Sequence, residues 1–203
     1  MKLLAYTEGT EWKAGIGDPT IMGWFTVLAY VMTALASYRA AREAKGLTSH
    51  QPEYRSRRIL WTGLACLLAA LAINKQLDLQ TWFTLTLKRL SIAQGWYEHR
   101  RFMQLLFIIF LGAGGLVGLA LLWRLVRNHW RESLLPLAGL TLLIVFVLAR
   151  AASFHYMDQF LGWKLAGIKM NWAMELGAIS LVFFGARQAF RRYKQEPKLN
   201  GEI

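Results

Sequence analysis

The apolar residues of this chain fall into blocks that short polar segments separate. A helix of about 20 apolar residues crosses a hydrocarbon core of about 30 Å, and the blocks come close to this length. They predict five transmembrane helices, at about residues 21–38, 59–74, 102–123, 134–154 and 170–186. Asn171 and Glu175 interrupt the fifth block. We take residues 1–203 as one all-α domain, a polytopic membrane helix bundle of about five spans.

The segment between the second and third spans has the pattern of a helix at the membrane surface. In "DLQTWFTLTLKRLSIAQGWY" the polar residues that recur at helical spacing are Thr81, Thr84, Lys88 and Ser91. A narrow polar stripe on an otherwise apolar helix is typical of an interfacial amphipathic helix. The pattern predicts such a helix at about residues 79–94, with Asp78 capping its start and Gly95 at its end.

Composition and charge support a membrane protein. Of the 203 residues 55% are hydrophobic, and the formal net charge is +12. A basic balance of this size can indicate nucleic-acid binding, but in a multi-pass protein it is expected of loops at the anionic cytoplasmic surface. We therefore expect membrane lipids, and no nucleic acid, as partners. Cys66 is the single cysteine, which excludes an intramolecular disulfide and Cys-based metal sites.

The distribution of Lys and Arg predicts the orientation in the membrane. Segments 39–58, 124–131 and 187–203 carry 14 of the 24 basic residues, and they alternate along the chain with the other loops. Basic loops are retained on the cytoplasmic side. The N-terminus is then outside, and the C-terminus is cytoplasmic.

A layer of polar residues is predicted near the outer ends of three spans. At a rise of about 1.5 Å per residue, Lys75, Arg150 and Asn171 lie about 24 to 26 Å from the inner ends of their helices. Glu175 lies about 6 Å deeper. A lone charge at such depth is costly, so we predict that Arg150 and Glu175 are partners across a helix interface.

Our first interpretation of this layer is a site for an anionic ligand, either a lipid headgroup or an acidic segment of a partner protein. Arginine binds phosphate in a bidentate manner, which favours this chemistry. The candidate ligand-binding residues are Lys75, Arg100, Arg101, Arg150 and Ser153. For Lys75 and for Arg150 the alternative is a side chain that extends to the lipid headgroups without a protein partner.

The second interpretation is a metal-assisted hydrolase or transferase that acts on lipid. His155 and Asp158 are three residues apart and, with His99, could bind a divalent metal ion. The acids or bases of such a reaction would come from His155, Asp158, Glu175 or Asp78. The sequence contains no HExxH motif and no paired CxxC motif.

The third interpretation is a structural subunit of a larger membrane complex. Gly114 and Gly118 in "GAGGLVG" have the GxxxG spacing that lets two helices approach closely. This contact would be internal to the bundle, or it would join a homo-oligomer or a partner membrane protein. Internal packing is the commoner use of the motif.

Three segments carry a resemblance to known proteins: "INKQLDLQTW", "QGWYEHRR" and "RAASFHYMD". Together they resemble a group of small bacterial multi-pass membrane proteins, over most of residues 59–162. The resemblance implies a location in the bacterial inner membrane. It implies no particular activity.

Overall fold

The computed structural model describes residues 18–45, 52–77, 82, 85–86, 89–90, 92–95, 100–152, 164–165 and 168–196. The helices among them are α1 (Ile21–Lys45), α2 (Pro52–Leu77), α3 (Arg100–Val126), α4 (Trp130–Ala152) and α5 (Met170–Gln195). A 3₁₀ turn, Arg127–His129, joins α3 to α4. Two short strands, β1 (Lys164–Leu165) and β2 (Ile168–Lys169), pair antiparallel directly before α5. The described fold is all-α, as the sequence predicts.

Three stretches are long and apolar enough to cross a membrane: Ile21–Ala44, Tyr54–Leu77 and Gly112–Leu148. The third passes from α3 through the 3₁₀ turn into α4. They support the prediction of a membrane protein, while the predicted count of about five spans is not confirmed. The helix α5 is not among the three, and it contains the polar residues Asn171 and Glu175 that interrupt the fifth apolar block.

Two helices extend well beyond the apolar blocks that predicted them. The blocks end at about residues 38 and 186, whereas α1 continues to Lys45 and α5 to Gln195. An apolar block marks only the part of a helix that is suited to lipid. The helix itself continues beyond the block, because the Arg and Ala residues that follow have good helix propensity. The added turns carry all five arginines of these two helices.

The segment predicted as an interfacial helix is helical at residues 82, 85, 86, 89, 90, 92 and 93. Thr86 Oγ1 donates a hydrogen bond to the Trp82 carbonyl oxygen at 2.8 Å, one helical turn earlier. Gly95 has φ +76°, the left-handed conformation that commonly ends a helix, as predicted. The polar stripe residues lie outside the described part of the chain, so a position at the interface stays a prediction.

The core forms where α1 packs against α2 and α5, and where α5 packs against α4. Its largest fully buried side chains include Trp61 and Leu60 on α2 and Tyr193 and Ile179 on α5. The helix α3 packs less extensively, chiefly against α4, and its Phe110 is 79% exposed. Exposed apolar side chains of this kind suit a helix that faces lipid.

Close contact between α4 and α5 depends on two glycines. A Cβ atom added at Gly139 would lie 2.7 Å from both the Ala178 carbonyl oxygen and Val182 Cγ2. One added at Gly185 would lie 2.7 Å from the Cδ atom of Pro136. Small residues are needed here because the two backbones approach closely.

Among the described residues, nothing packs closely against Gly114 or Gly118 of the GxxxG motif in α3. A Cβ atom at Gly114 or Gly118 would meet nothing within 4 Å, although one at Gly115 would lie 3.2 Å from Ile144 Cγ2. Among the described residues, Gly114 and Gly118 thus make no close helix contact, and the predicted internal packing is not observed there. A role in contact with a second molecule stays a prediction.

We expect Gly139→Ala to destabilise the protein by about 1 to 3 kcal/mol, since the added methyl group overpacks a contact made with backbone atoms. Gly114→Ala is the matched control. It should be neutral or stabilising by up to about 1 kcal/mol, because Ala has the higher helix propensity and the site has space. Thermal unfolding in detergent compares the two variants. Equal effects would contradict the close α4–α5 contact.

Candidate functional site

Two ionic clusters lie at opposite ends of α2. Arg57 and Lys75 on this helix are separated by a rise of about 27 Å, close to the thickness of a hydrocarbon core. Each contacts an acidic residue of the last part of the chain: Arg57 pairs with Glu196, and Lys75 pairs with Glu175. The order of these contacts shows that α2 and α5 run antiparallel.

The Glu175 cluster consists of Tyr30, Lys75 and Glu175. Lys75 Nζ donates to Glu175 Oε2 at 2.8 Å, and the Tyr30 hydroxyl donates to Glu175 Oε1 at 3.1 Å. The Lys75 and Glu175 side chains are only 10% and 3% exposed. Three helices, α1, α2 and α5, each supply one member. Both carboxylate oxygens thus have a partner, which is the condition for keeping a charge out of water.

This geometry corrects the expectation for Lys75, while the predicted Arg150–Glu175 pair stays a prediction. Lys75 does not extend to the headgroups without a protein partner, since its ammonium group is bound to Glu175 inside the bundle. The partners found for Glu175 are Lys75 and Tyr30, whereas the sequence pointed to Arg150. The depth estimate placed Lys75 and Glu175 near one layer, but depth alone does not say which helices meet. The Arg150 side chain lies outside the described part of the structure, so its own partner is not identified.

One polar atom near this cluster has no hydrogen-bond partner among the described residues. Asn171 lies one helical turn before Glu175 on α5, and its Oδ1 atom is buried. Residues four apart share a face of a helix, so Asn171 and Glu175 point to the same side of α5. The polar layer predicted from the sequence is therefore partly inside the bundle.

The Arg57 cluster lies at the other end of the bundle, near the start of α2. Arg57 Nη1 donates to both carboxylate oxygens of Glu196, at 3.3 and 3.2 Å, and Nη2 donates to Glu132 Oε1 at 3.3 Å. The guanidinium carbon lies 5.4 and 5.3 Å from the ring centres of Tyr54 and Tyr193, within the range of cation–π attraction. Arg57 thereby ties α2 to the start of α4 and to the end of α5.

A hydrogen bond next to Arg57 extends this cluster into the core. Trp61 Nε1 donates to the Tyr193 hydroxyl at 3.2 Å, and both rings are buried. Burial raises the pKa of the Tyr193 hydroxyl above its usual value, while the hydrogen bond from Trp61 and the charge of Arg57 act in the opposite direction. The hydroxyl therefore stays neutral at physiological pH.

Sequence reasoning missed the Arg57 cluster. Arg57 was counted as one of several loop cations, yet it precedes Leu60, Trp61 and Leu64 at helical spacing on the buried face of α2. That spacing is a signal that the charge points inwards. Its partners could not be found in the same way, because Glu132 and Glu196 are distant in sequence.

Three candidate ligand-binding residues lie at the Glu175 end of the bundle. Glu132 starts α4 beside Arg57, so Arg150, a rise of about 27 Å later, lies at the opposite end. The helix α3 precedes the 3₁₀ turn and therefore begins at that end as well, with Arg100 and Arg101. The side chains of these three arginines are outside the described part of the structure.

The remaining candidates cannot be located. Residues His99, Ser153, His155, Asp158 and Asp78 lie outside the described residues. Within the described residues, no group of three or more His, Cys, Asp or Glu could hold a metal ion. Glu175, a candidate acid or base, is buried against Lys75 and Tyr30. The metal-assisted enzyme thus stays a prediction that no described contact favours.

No protein family model, curated protein or solved structure matches this chain. The class that its fold defines is an all-α protein with three helices able to cross a membrane. The resemblance of three short segments to bacterial multi-pass proteins stays a prediction.

We expect Lys75→Met to destabilise the protein by roughly 3 to 5 kcal/mol, because it leaves the buried Glu175 carboxylate without its cation. The double variant with Glu175→Gln should lose less stability than the sum of the two single variants, since it leaves no orphan charge. Lys194→Met is the control, as this lysine is exposed at the end of α5; its effect should stay within about 0.5 kcal/mol. Denaturant unfolding in detergent measures the cycle, and strict additivity would refute the pairing.

Proposed function

We propose that this chain is a multi-pass protein of the bacterial inner membrane whose outer end binds an anionic ligand, most simply a lipid headgroup. Arg100, Arg101 and Arg150 are the proposed donors. An acidic segment of a partner membrane protein is the alternative ligand. The role is one of binding or of an accessory subunit, with no chemical step assigned.

One observation carries this proposal: both oxygens of the Glu175 carboxylate already have partners. Glu175 is the one Asp or Glu within the described helices at this end of the bundle. Lys75 already supplies a cation to this carboxylate, so we propose that Arg150 has a different counter-ion. An arginine at the lipid boundary requires an anion or water, and phosphate supplies the bidentate geometry that a guanidinium prefers.

The same observation changes the set of proposed donors. Lys75 is excluded from it, because its ammonium group neutralises Glu175 and is largely buried. Ser153 remains in the set, since it lies three residues after Arg150 and a hydroxyl can add a hydrogen bond to a phosphate oxygen. The proposed site thus lies around the end of α4 and the start of α3.

The proposed topology has five spans, with the N-terminus outside and the C-terminus in the cytoplasm. The three membrane-length stretches support it, and so does the antiparallel order of α2 and α5. In this arrangement the arginine-rich ends of α1 and α5 and the turn between α3 and α4 share the cytoplasmic side, as basic loops do. The segment at about residues 79–94 would lie along the outer interface.

Ligand binding is tested with a photoactivatable phosphatidylglycerol added to the full chain in detergent, followed by mapping of the crosslinked peptides. We expect crosslinks near Arg101 or Arg150, and a loss of about 10- to 100-fold in affinity for the variant R101Q/R150Q, because charged hydrogen bonds are the strong ones. The control R187Q/R191Q removes the same charge from the opposite end and should leave these crosslinks unchanged.

A different result would contradict the proposal. If R101Q/R150Q left the crosslinks near α3 and α4 intact, the arginines would not be the donors. If phosphatidylcholine competed as well as phosphatidylglycerol, the site would have no preference for an anion. An acidic partner segment would be indicated if the wild type co-purified with another membrane protein that the variant lost.

Topology is tested with reporters that are active only in the periplasm. A reporter fused after Gly95 should be active and one fused after Leu47 should be silent, because basic loops are held on the cytoplasmic side. The two fusions control for each other, since one precedes α2 in the sequence and the other follows it. The reverse pattern would place Arg100, Arg101 and Arg150 in the cytoplasm and would overturn the outer site.

A further inference from the structure

The connection between α3 and α4 presents a compact basic surface, at the end of the bundle opposite to the proposed outer site. We name it the α3–α4 basic turn. Its exposed basic and aromatic residues are Trp123, Arg124, Arg127, Trp130 and Arg131. Three guanidinium groups and two indole rings thus lie within nine residues of the chain.

The turn is held in place by its inner face. Val126, His129 and Ser133 are buried at intervals of three and four residues, while Arg127, Trp130 and Arg131 between them are exposed. The Ser56 hydroxyl oxygen lies 3.5 Å from His129 Nδ1, which connects the turn to α2. The arginines are therefore displayed from a fixed backbone.

The acidic residue of this turn does not neutralise its arginines. Glu132 follows Arg131 directly, but its carboxylate oxygens lie 3.3 and 3.2 Å from Arg57 Nη2 inside the bundle. Glu196, at the end of α5, is bound by the same Arg57. Arg57 thus pairs with both carboxylates, and among the described residues neither carboxylate forms an ion pair with Arg124, Arg127 or Arg131.

The aromatic residues of the turn suit a membrane interface. The Arg131 guanidinium carbon lies 5.6 Å from the centre of the Trp130 ring, in the range of cation–π attraction. Trp123 and Trp130 are 52% and 40% exposed, and tryptophan is enriched where lipid headgroups meet the hydrocarbon. The turn joins two apolar helices, so lipid tails can pack below the arginines.

We propose that the α3–α4 basic turn binds the headgroup of an anionic phospholipid. Charge complementarity selects the phosphate, the guanidinium groups bind it in a bidentate manner, and the two indoles hold the turn at headgroup level. A nucleic acid would use the charges but not the exposed indoles beside apolar helices. This site is separate from the proposed outer site and does not depend on it.

The test uses the full chain in nanodiscs of phosphatidylcholine, with and without photoactivatable phosphatidylglycerol. We expect crosslinked peptides that contain residues 123–131, with a signal that falls as salt rises. The variant R124Q/R127Q/R131Q should lose about fivefold in apparent affinity for each arginine, on the order of 100-fold in all. Mapping by peptide separates this site from crosslinks near Arg101 or Arg150.

The matched control is R39Q/R42Q/R191Q, which removes three exposed arginines of α1 and α5 from the same end of the bundle. It should change the affinity at residues 123–131 by less than about twofold, because these charges lie on other helices. If the turn variant does not fold, R127Q alone should show the fivefold loss, as Arg127 is exposed on the 3₁₀ turn.

Three outcomes would overturn the proposal. The control could weaken crosslinking as much as the turn variant, which would mean a general effect of net charge. Phosphatidylcholine could crosslink equally well at residues 123–131. RNA could compete with phosphatidylglycerol in detergent and bind with a similar dependence on the three arginines, which would make this surface a nucleic-acid site.

Discussion

The carboxylate of Glu175 is the group on which the bundle depends. It lies among apolar helices where an unpaired charge would be strongly unfavourable, and it is stabilised only if Lys75 and Tyr30 reach it together. This condition fixes the register of α1, α2 and α5 relative to one another. A shift of any of the three by one residue would turn its polar side chain away and leave a buried charge.

Arg57 imposes a similar condition at the other end, where it binds Glu132 and Glu196 and lies against two tyrosine rings. The two clusters therefore fix α2 at both ends of a length close to the hydrocarbon thickness. The two clusters also determine which charged side chains are paired within the protein. The charged side chains of Arg57, Lys75 and Glu175 are largely buried in these pairs.

Small residues set the distance between helices, but the close helix contact in this protein is not at the GxxxG motif. The GxxxG spacing in α3 is conspicuous in the sequence, yet Gly114 and Gly118 have open space beside them. The close contact occurs at Gly139 and Gly185, where α4 meets α5. A glycine matters for packing only where another backbone lies against it, and local spacing does not reveal which surfaces face each other.

The sequence by itself determined the class of the protein, because blocks of apolar residues separated by basic segments leave a chain few alternatives to membrane helices. It also placed Lys75 and Glu175 near one layer and Gly95 at a helix end, since rise per residue and glycine conformation are local properties. Only the tertiary structure decided the pairs: Lys75 with Glu175, and Arg57 with Glu132 and Glu196. These contacts join residues about 75 to 140 positions apart in the sequence. Which of several chemically equivalent residues becomes the partner depends on which helices lie next to each other, and the periodicity of the sequence does not encode that.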